Sequence, residues 1–271
     1  MTTIALPERW TFAGLDLSSY ATLTALVTGA DELPPLRGEN WQRSGADGRT
    51  HVAKRLDSRK VSLALIVNAM AADGSGSGAA QTRTNIDALL AVLGPRVQGT
   101  LTRLMPDGTT RSGQAECMSV QNWSEPVGKE FAALVATFEM ADPYWYGAST
   151  TGPGSTSTPA SPTDFTFTLA GNVRNVRRLT IDWTGPVTNP RLTNQTTGAY
   201  VNVAQAVTSG QHLIIDATAW TVLNNGVNAM PALTHGPTVA LFDLAPGANS
   251  LRATAGTPGG SVLVTAYPAW Y

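Results

Sequence analysis

The chain has 271 residues, of which 42% are hydrophobic and only 14% charged, with a formal net charge of −1. That length suits two ordinary domains or one large all-β domain, and the near-neutral balance excludes a global field drawing it to nucleic acid or anionic lipid. The single cysteine, Cys117, excludes an internal disulfide framework.

The neighbours of Cys117, Ala115 and Met118, point to a buried small hydrophobe rather than a reactive thiol. Met1 to Trp10 lacks a basic region followed by an apolar stretch, so no secretory signal is expected. No apolar run reaches the roughly eighteen residues of a spanning helix, and membrane insertion is not expected. Charge is uneven: from Leu179 onward the charged side chains, histidines aside, are Asp182, Arg191, Asp216, Asp243 and Arg252. This asymmetry predicts two domains with different surfaces.

Leu15-Asp16-Leu17 and Leu23 to Val27 are short apolar pieces, after which Pro34-Pro35 and glycines 38, 45 and 48 break regular structure. Arg37 to Lys60 is basic, carrying Arg37, Arg43, Arg49, Lys54, Arg55, Arg59 and Lys60 against Glu39, Asp47 and Asp57. With Trp41 as its only aromatic, it reads as a solvated or interface-facing pair of loops more than as a phosphate-facing patch. Val61, Leu63, Leu65 and Val67 alternate and predict a strand.

Asp73 to Gly78 superficially resembles a phosphate loop but lacks the closing Gly-Lys-Ser/Thr, so it reads as a flexible loop. Thr82 to Leu93 is the one predicted helix, with Ile86, Leu89, Leu90 and Leu93 on one face and Gly94-Pro95 as its stop. Thr100 to Met105 and Thr110 to Cys117 flank the hairpin turn Pro106-Asp107-Gly108. Met118 to Trp123 and Phe131 to Met140 are further strands.

The apolar run ending at Met140 meets Asp142-Pro143-Tyr144-Trp145-Tyr146. Pro143 cannot donate to a ladder and pushes Asp142 towards extended geometry, so pairing must stop or bulge. Successive residues of an extended chain face opposite sides. One aromatic face can therefore enter a core, while the other needs a second cover from another domain or subunit. Pro143, Tyr144, Trp145 and Tyr146 are thus candidate interface residues, with Trp145 expected to be buried against a second body. The Gly/Ser/Thr/Pro tract that follows places a linker at 150–163, between a domain over 1–149 and another over 164–271.

Beyond it the pattern is wholly β. Phe165–Leu169, Leu179–Trp183, Ala199–Val203, Leu213–Asp216, Val239–Phe242 and Val262–Tyr267 are strands. Trp220 to Leu223 and Asn224-Asn225-Gly226 predict a hairpin with positive-φ turn residues, and Pro246-Gly247-Ala248-Asn249 a turn. Short strands at regular turn spacing predict an antiparallel sandwich.

Catalytic and cofactor patterns are missing. His51, His212 and His235 have no His or Cys partner at metal-ligand spacing. There is no nucleophile elbow and no dinucleotide fingerprint. After Leu179 the chain offers only Asp182, Asp216 and Asp243 as carboxylates. The expectation is no enzyme, no catalytic residue, no metal site and no cofactor.

The order of these parts resembles the distal tail protein (Dit) family of long-tailed bacteriophages, over nearly the whole chain. In the first half the resemblance rests on Val61 to Asn68, Thr82 to Leu93, the hairpin around Pro106-Asp107-Gly108, and Phe131 to Met140 running into Ala141 to Tyr146. In the second it rests on Asn189-Pro190-Arg191-Leu192-Thr193-Asn194, Gly210 to Asp216, Leu244-Ala245-Pro246-Gly247-Ala248-Asn249 and Tyr267-Pro268-Ala269-Trp270. The resemblance implies a mainly β protein of two domains. The first is a β-sandwich-like belt domain with one α-helix, the second a galectin-like antiparallel β-sandwich. It further implies a hexameric ring of identical copies at the distal end of the tail of the virion, assembled in the host cytoplasm. That ring joins the tail tube protein to the tail-tip hub and to baseplate or receptor-binding proteins, with DNA only as cargo passing through its lumen. The competing expectation is a carbohydrate-binding module contacting host glycans. Trp183, Trp220 and Trp270 are then the sugar-stacking candidates, although no Glu after Leu179 reproduces a galectin-type cluster.

Overall fold

Alternating segments become strands because every second side chain can leave water together. The computed structural model describes residues 8–42, 44–45, 47, 49–67, 69–70, 77–94, 96–124, 131–157, 162–174, 178–236, 242–257 and 259–271. Two units result, Met1–Trp145 with Tyr271, and Tyr146–Trp270.

In the first unit one antiparallel sheet runs in the order Leu15–Asp16, Arg9–Phe12, Gln98–Leu104, Thr110–Ser124, Ala132–Met140, Arg59–Val67, Ala21–Thr28. Val61, Leu63, Leu65 and Val67 are all buried, as their period of two requires. Phe138, Ala136, Leu134 and Ala132 stand opposite them in register and are buried too. The helix spans Ala79–Val92, starting three residues before the expected Thr82. It buries Ile86 and Leu89, and Leu93 is buried just beyond its end. Leu90, expected on the same face, is exposed. The Cys117 thiol donates to the Leu93 carbonyl at 3.1 Å, and burial pushes its pKa up.

Thr110–Ser124 is one strand where two were expected. Its register against Ala132–Met140 shifts between Cys117 and Ser119. This bulge leaves Met118 exposed beside the buried Cys117.

A narrow arm leaves this sheet between Thr28 and Arg59. Leu36–Arg37 pairs with Arg55–Leu56, and Trp41–Gln42 with Arg49–Thr50, both antiparallel. The amide of Asp57 donates to the Pro35 carbonyl at 2.7 Å across its base.

The second unit is a two-sheet sandwich. One sheet orders Thr150–Ser157, Ser261–Ala266, Leu179–Thr184, His212–Asp216, Thr221–Asn224, Val227–Asn228. The other orders Thr163–Leu169, Gly247–Thr254, Arg191–Asn194, Tyr200–Val203, Leu233–Gly236. Leu179, Ile181, Trp183, Leu213, Ile215, Val262 and Val264 from the first meet Phe167, Leu192, Val201, Leu251 and Ala253 from the second in one apolar core. Asn225 and Gly226, at φ 47° and 80°, make the expected positive-φ turn.

The tract expected as a linker is largely strand. Thr150–Ser157 pairs with Ser261–Ala266 at the edge of the first sheet, and Thr163 opens the strand Thr163–Leu169. An edge strand tolerates Gly and Pro because its outer N–H groups face no partner, so its composition was misleading. Residues 158–161 of that linker, the expected strand residues 239–241, most of the Asp73–Gly78 loop and Pro95 of the Gly94-Pro95 stop lie outside the described residues. Phe242 is buried in the core.

A fragment of residues 146–271 is expected to unfold in a single cooperative transition. A fragment beginning at Asp164 lacks the edge strand and should melt at a lower temperature. Circular dichroism melts of the two compare them; equal midpoints would show that Thr150–Ser157 contributes nothing to the sandwich.

Candidate assembly site

The inward row of the strand Arg59–Val67 ends in an arginine. Counting back by two from Val61 reaches Arg59, which stands opposite Met140 and is 1% exposed. Its guanidinium is used as a latch. Nε donates to the Pro143 carbonyl at 2.8 Å, and Nη1 donates to the carbonyls of Gly29, Ala30 and Glu32 at 2.7, 3.0 and 2.8 Å. Nη2 is buried without a partner among the described residues. Burial lowers the pKa of Arg59, and the charges of Asp31 and Glu32 oppose that shift. Gly29 has φ +79°, and a Cβ there would collide with the Lys60 carbonyl. Only glycine lets the loop come this close.

Trp145 closes the same site. It is 1% exposed, its Nε1 donates to the Ala30 carbonyl at 3.0 Å, and its ring meets Trp10 edge-on at 5.9 Å. Arg59 lies 5.9 Å from its ring centroid. This hydrogen bond and ring contact of Trp145 are made within its own unit. Pro143 is also buried, Tyr144 keeps partial exposure, and Tyr146 is buried beneath the Arg178 guanidinium, 3.9 Å from its ring centre.

A second inward row ends the same way. Arg103 lies two residues beyond Leu101, opposite Trp10, and is 6% exposed. It donates to both carboxylate oxygens of Glu8 at 2.7 and 3.2 Å and of Asp31 at 2.6 and 2.8 Å. Glu8 also accepts from Trp10 Nε1 at 2.8 Å. Burial by itself would lower the pKa of Arg103; the hydrogen bonds and charges of Asp31 and Glu8 outweigh it and raise it. The hydrogen bond from Arg103 lowers the pKa of Asp31, against the partial burial of that carboxylate. The loop 29–32 is thus held by two buried arginines and an indole.

The remaining cations of the basic segment behave differently. Arg37, Arg49, Lys54 and Arg55 are exposed along the arm, with His51 and Trp41. Arg59 was grouped with them in sequence but belongs to the core. The signal was present in the alternation, which runs unbroken from Val67 back to Arg59.

In the second unit two separated motifs meet. Asn194, from Asn189–Asn194, and Asn249, from Leu244–Asn249, are both fully buried, and Asn194 Nδ2 donates to Asn249 Oδ1 at 2.9 Å. Asn194 Nδ2 also donates to the Asp243 carbonyl at 3.0 Å, and its Oδ1 accepts from Thr196 N at 3.0 Å. Asn249 accepts from Ala245 N and donates to the Ala245 carbonyl, both at 2.8 Å. The buried Asp243 carboxylate accepts from Thr197 Oγ1 at 2.7 Å and lies 3.1 Å from Arg174 Nη1. These amides fasten loops between the sheets and are structural.

Of the sugar-stacking candidates, Trp183 is fully buried in the core and presents no face to solvent. Trp220 is half exposed at φ 55°, and Trp270 is partly buried. His212 Nδ1 contacts Asp182 at 2.9 Å on a strand surface, and His235 sits in the strand Leu233–Gly236. Among the described residues no three His, Cys, Asp or Glu are grouped to hold a metal ion.

Comparison with known proteins places this architecture. Residues 170–266 match the family described as siphovirus-type tail component, C-terminal domain. The crystal structure of the Dit protein of phage SPP1 aligns over 98% of this chain and 100% of its own, at 17% identity and a TM-score of 0.69. That protein is described as a paradigm of the hub adsorption apparatus in phages infecting Gram-positive hosts. A chain of the phage p2 baseplate in its activated conformation with strontium aligns over 95% of this chain and 97% of its own, at 8% identity and a TM-score of 0.46. No curated protein sequence matches the chain. Residues 170–266 thus match a siphovirus tail-component family, and over nearly its whole length the chain has the fold of the SPP1 Dit protein.

Arg59→Met should cost about 3 kcal/mol or more, because it strands the buried carbonyls of Ala30 and Pro143 and removes the donors to the part-buried carbonyls of Gly29 and Glu32. Trp145→Ala should cost roughly 3–5 kcal/mol. Urea unfolding checks both as midpoint shifts at constant slope; a midpoint unchanged in Arg59→Met would show the latch to be dispensable. The lowered pKa of Asp31 means that its contribution is present above the ordinary carboxylate value and is lost as pH falls through the folded-state value. Asp31→Asn should therefore flatten the acid limb of a stability–pH profile while leaving its alkaline limb alone.

Proposed function

We propose that this chain forms the closed ring at the distal end of a siphophage tail. The ring joins the tail tube to the tail-tip hub and the baseplate or receptor-binding proteins. The observation that carries the reading is the family match over 170–266 together with whole-length likeness to the SPP1 Dit fold. A ring of identical copies needs a head-to-tail contact that closes, and interface cores are depleted in charge. A chain with 14% charged residues suits that demand. Six copies, a DNA-conducting lumen and assembly in the host cytoplasm follow from the family likeness and belong to this proposal.

The role is structural and needs no bound cofactor. Pro143 and Trp145 would serve the ring indirectly, by fixing the loop 29–32 and the foot of the arm. Of the four candidate interface residues, the partly exposed Tyr144 keeps surface for a neighbour. Glycan binding is the second reading. It rests on Trp220, whose half-exposed ring is the most accessible of the three tryptophans considered for stacking; Trp270 is only partly buried.

Light scattering across concentration, with negative-stain electron microscopy, should show closed rings. Monomers at every concentration, and no labelled protein at tail tips, would defeat the ring. A glycan array with wild type and Trp220→Ala addresses the second reading: specific binding lost in the variant would support it.

A further inference from the structure

The arm is the least self-sufficient part of the described first unit. A two-stranded hairpin alone is marginal in water. Here two such pairs project with Leu36, Trp41 and Val52 exposed, Trp41 at 73%. Between Leu36 and Leu56 the sequence carries Arg37, Arg43, Arg49, Lys54 and Arg55 against only Glu39 and Asp47. An exposed tryptophan among cations is the composition of an interface hot spot, which the described residues of this chain leave uncovered.

The same unit holds a surface of complementary character. A groove of about 420 Å³ is lined by Gln98, Gln114, Ala115, Glu116, Met118, Glu139 and Ala141. Glu116 stands directly opposite Glu139 in register, and opposite Gln98 on its other side. Like charges facing each other across strands are destabilising. Lys60 faces Glu139 from the far strand, and Ser58 Oγ donates to Glu139 at 2.6 Å. Among the described residues Glu116 has only Gln98 Nε2, at 3.3 Å, and no basic partner in register. Met118, turned outward by the bulge, supplies the apolar floor at 48% exposure.

We propose that the arm of one copy seats on the Glu116–Met118–Glu139 groove of the next copy, with Trp41 against the Met118 thioether and arm cations relieving the Glu116–Glu139 repulsion. Sulfur–aromatic contact and charge neutralisation then act at one place. Because arm and groove are different surfaces of the same unit, the contact is head-to-tail and propagates from copy to copy. This inference rests on the ring reading and names the two surfaces that make it.

Trp41→Cys and Met118→Cys are introduced into the full chain singly and together, and oxidised at assembling concentration. Each single variant should give no disulfide dimer, an equimolar mixture should give dimers, and the double variant should give a ladder ending in a covalent closed species. Glu116→Lys in wild-type background should raise the concentration of half-assembly by about tenfold or more, with an unchanged thermal midpoint for the dilute monomer. Rings that form normally without any cross-link between positions 41 and 118, and that tolerate Glu116→Lys, would overturn the proposal while leaving the ring intact. Monomers throughout would overturn both.

Discussion

The first unit depends on how one buried guanidinium is satisfied. A cation taken out of water is costly unless its donors are used. Arg59 meets that demand with backbone carbonyls from two separate places, the loop 29–32 and Pro143. Neither place has regular secondary structure to hold it. The donor geometry of a guanidinium is a rigid planar fork, so it fixes the spacing between them as well as their distance. Lysine offers one point charge and would not span the same set. The chain passes to the second unit after Trp145, two residues beyond Pro143.

The same device recurs in apolar rows elsewhere. The row through Leu101 ends in Arg103, the row through Leu192 in Asn194, and the row through Ala253 and Leu251 in Asn249. In each, the last inward position of a strand carries a polar group that gathers loops. The physical reason is geometric. A strand's inward row stops where the sheet stops covering it, and loop backbone takes over with unpaired N–H and C=O groups. A buried amide or guanidinium at that position satisfies several of them at once. An apolar residue there would leave them stranded, at about 1–3 kcal/mol each.

This explains how much was legible in the sequence. Alternation located the strand segments Val61–Val67, Phe131–Met140 and Leu179–Trp183, because burial of every second residue is a one-dimensional pattern. The Asn225-Gly226 turn and the single helix were legible from local chemistry in the same way. Composition was the weaker guide. Gly, Ser, Thr and Pro over 150–163 suggested a linker, yet an edge strand can carry them because half of its backbone pairing is absent. Arg59 was concealed by its charge: a cluster of cations reads as solvated surface unless the period of two is followed through it. The meeting of Asn194 with Asn249, 55 residues apart in sequence, has no local signature. The two motifs could be seen separately, but their contact belongs to the strand order.

The division of labour within the first unit follows from these constraints. Loop 29–32 and Asp57 lie on either side of the arm's base, where Arg59 and the Pro35–Asp57 hydrogen bond hold them. Beyond that point the described side chains of the arm stay almost entirely exposed. A rigid foot under a weakly stabilised projection is a useful arrangement for assembly. The foot limits the directions in which the arm can point, which would lower the entropy lost in the proposed docking. Stability is concentrated in the row that ends at Arg59, and the proposed docking surface lies in the segment that precedes it.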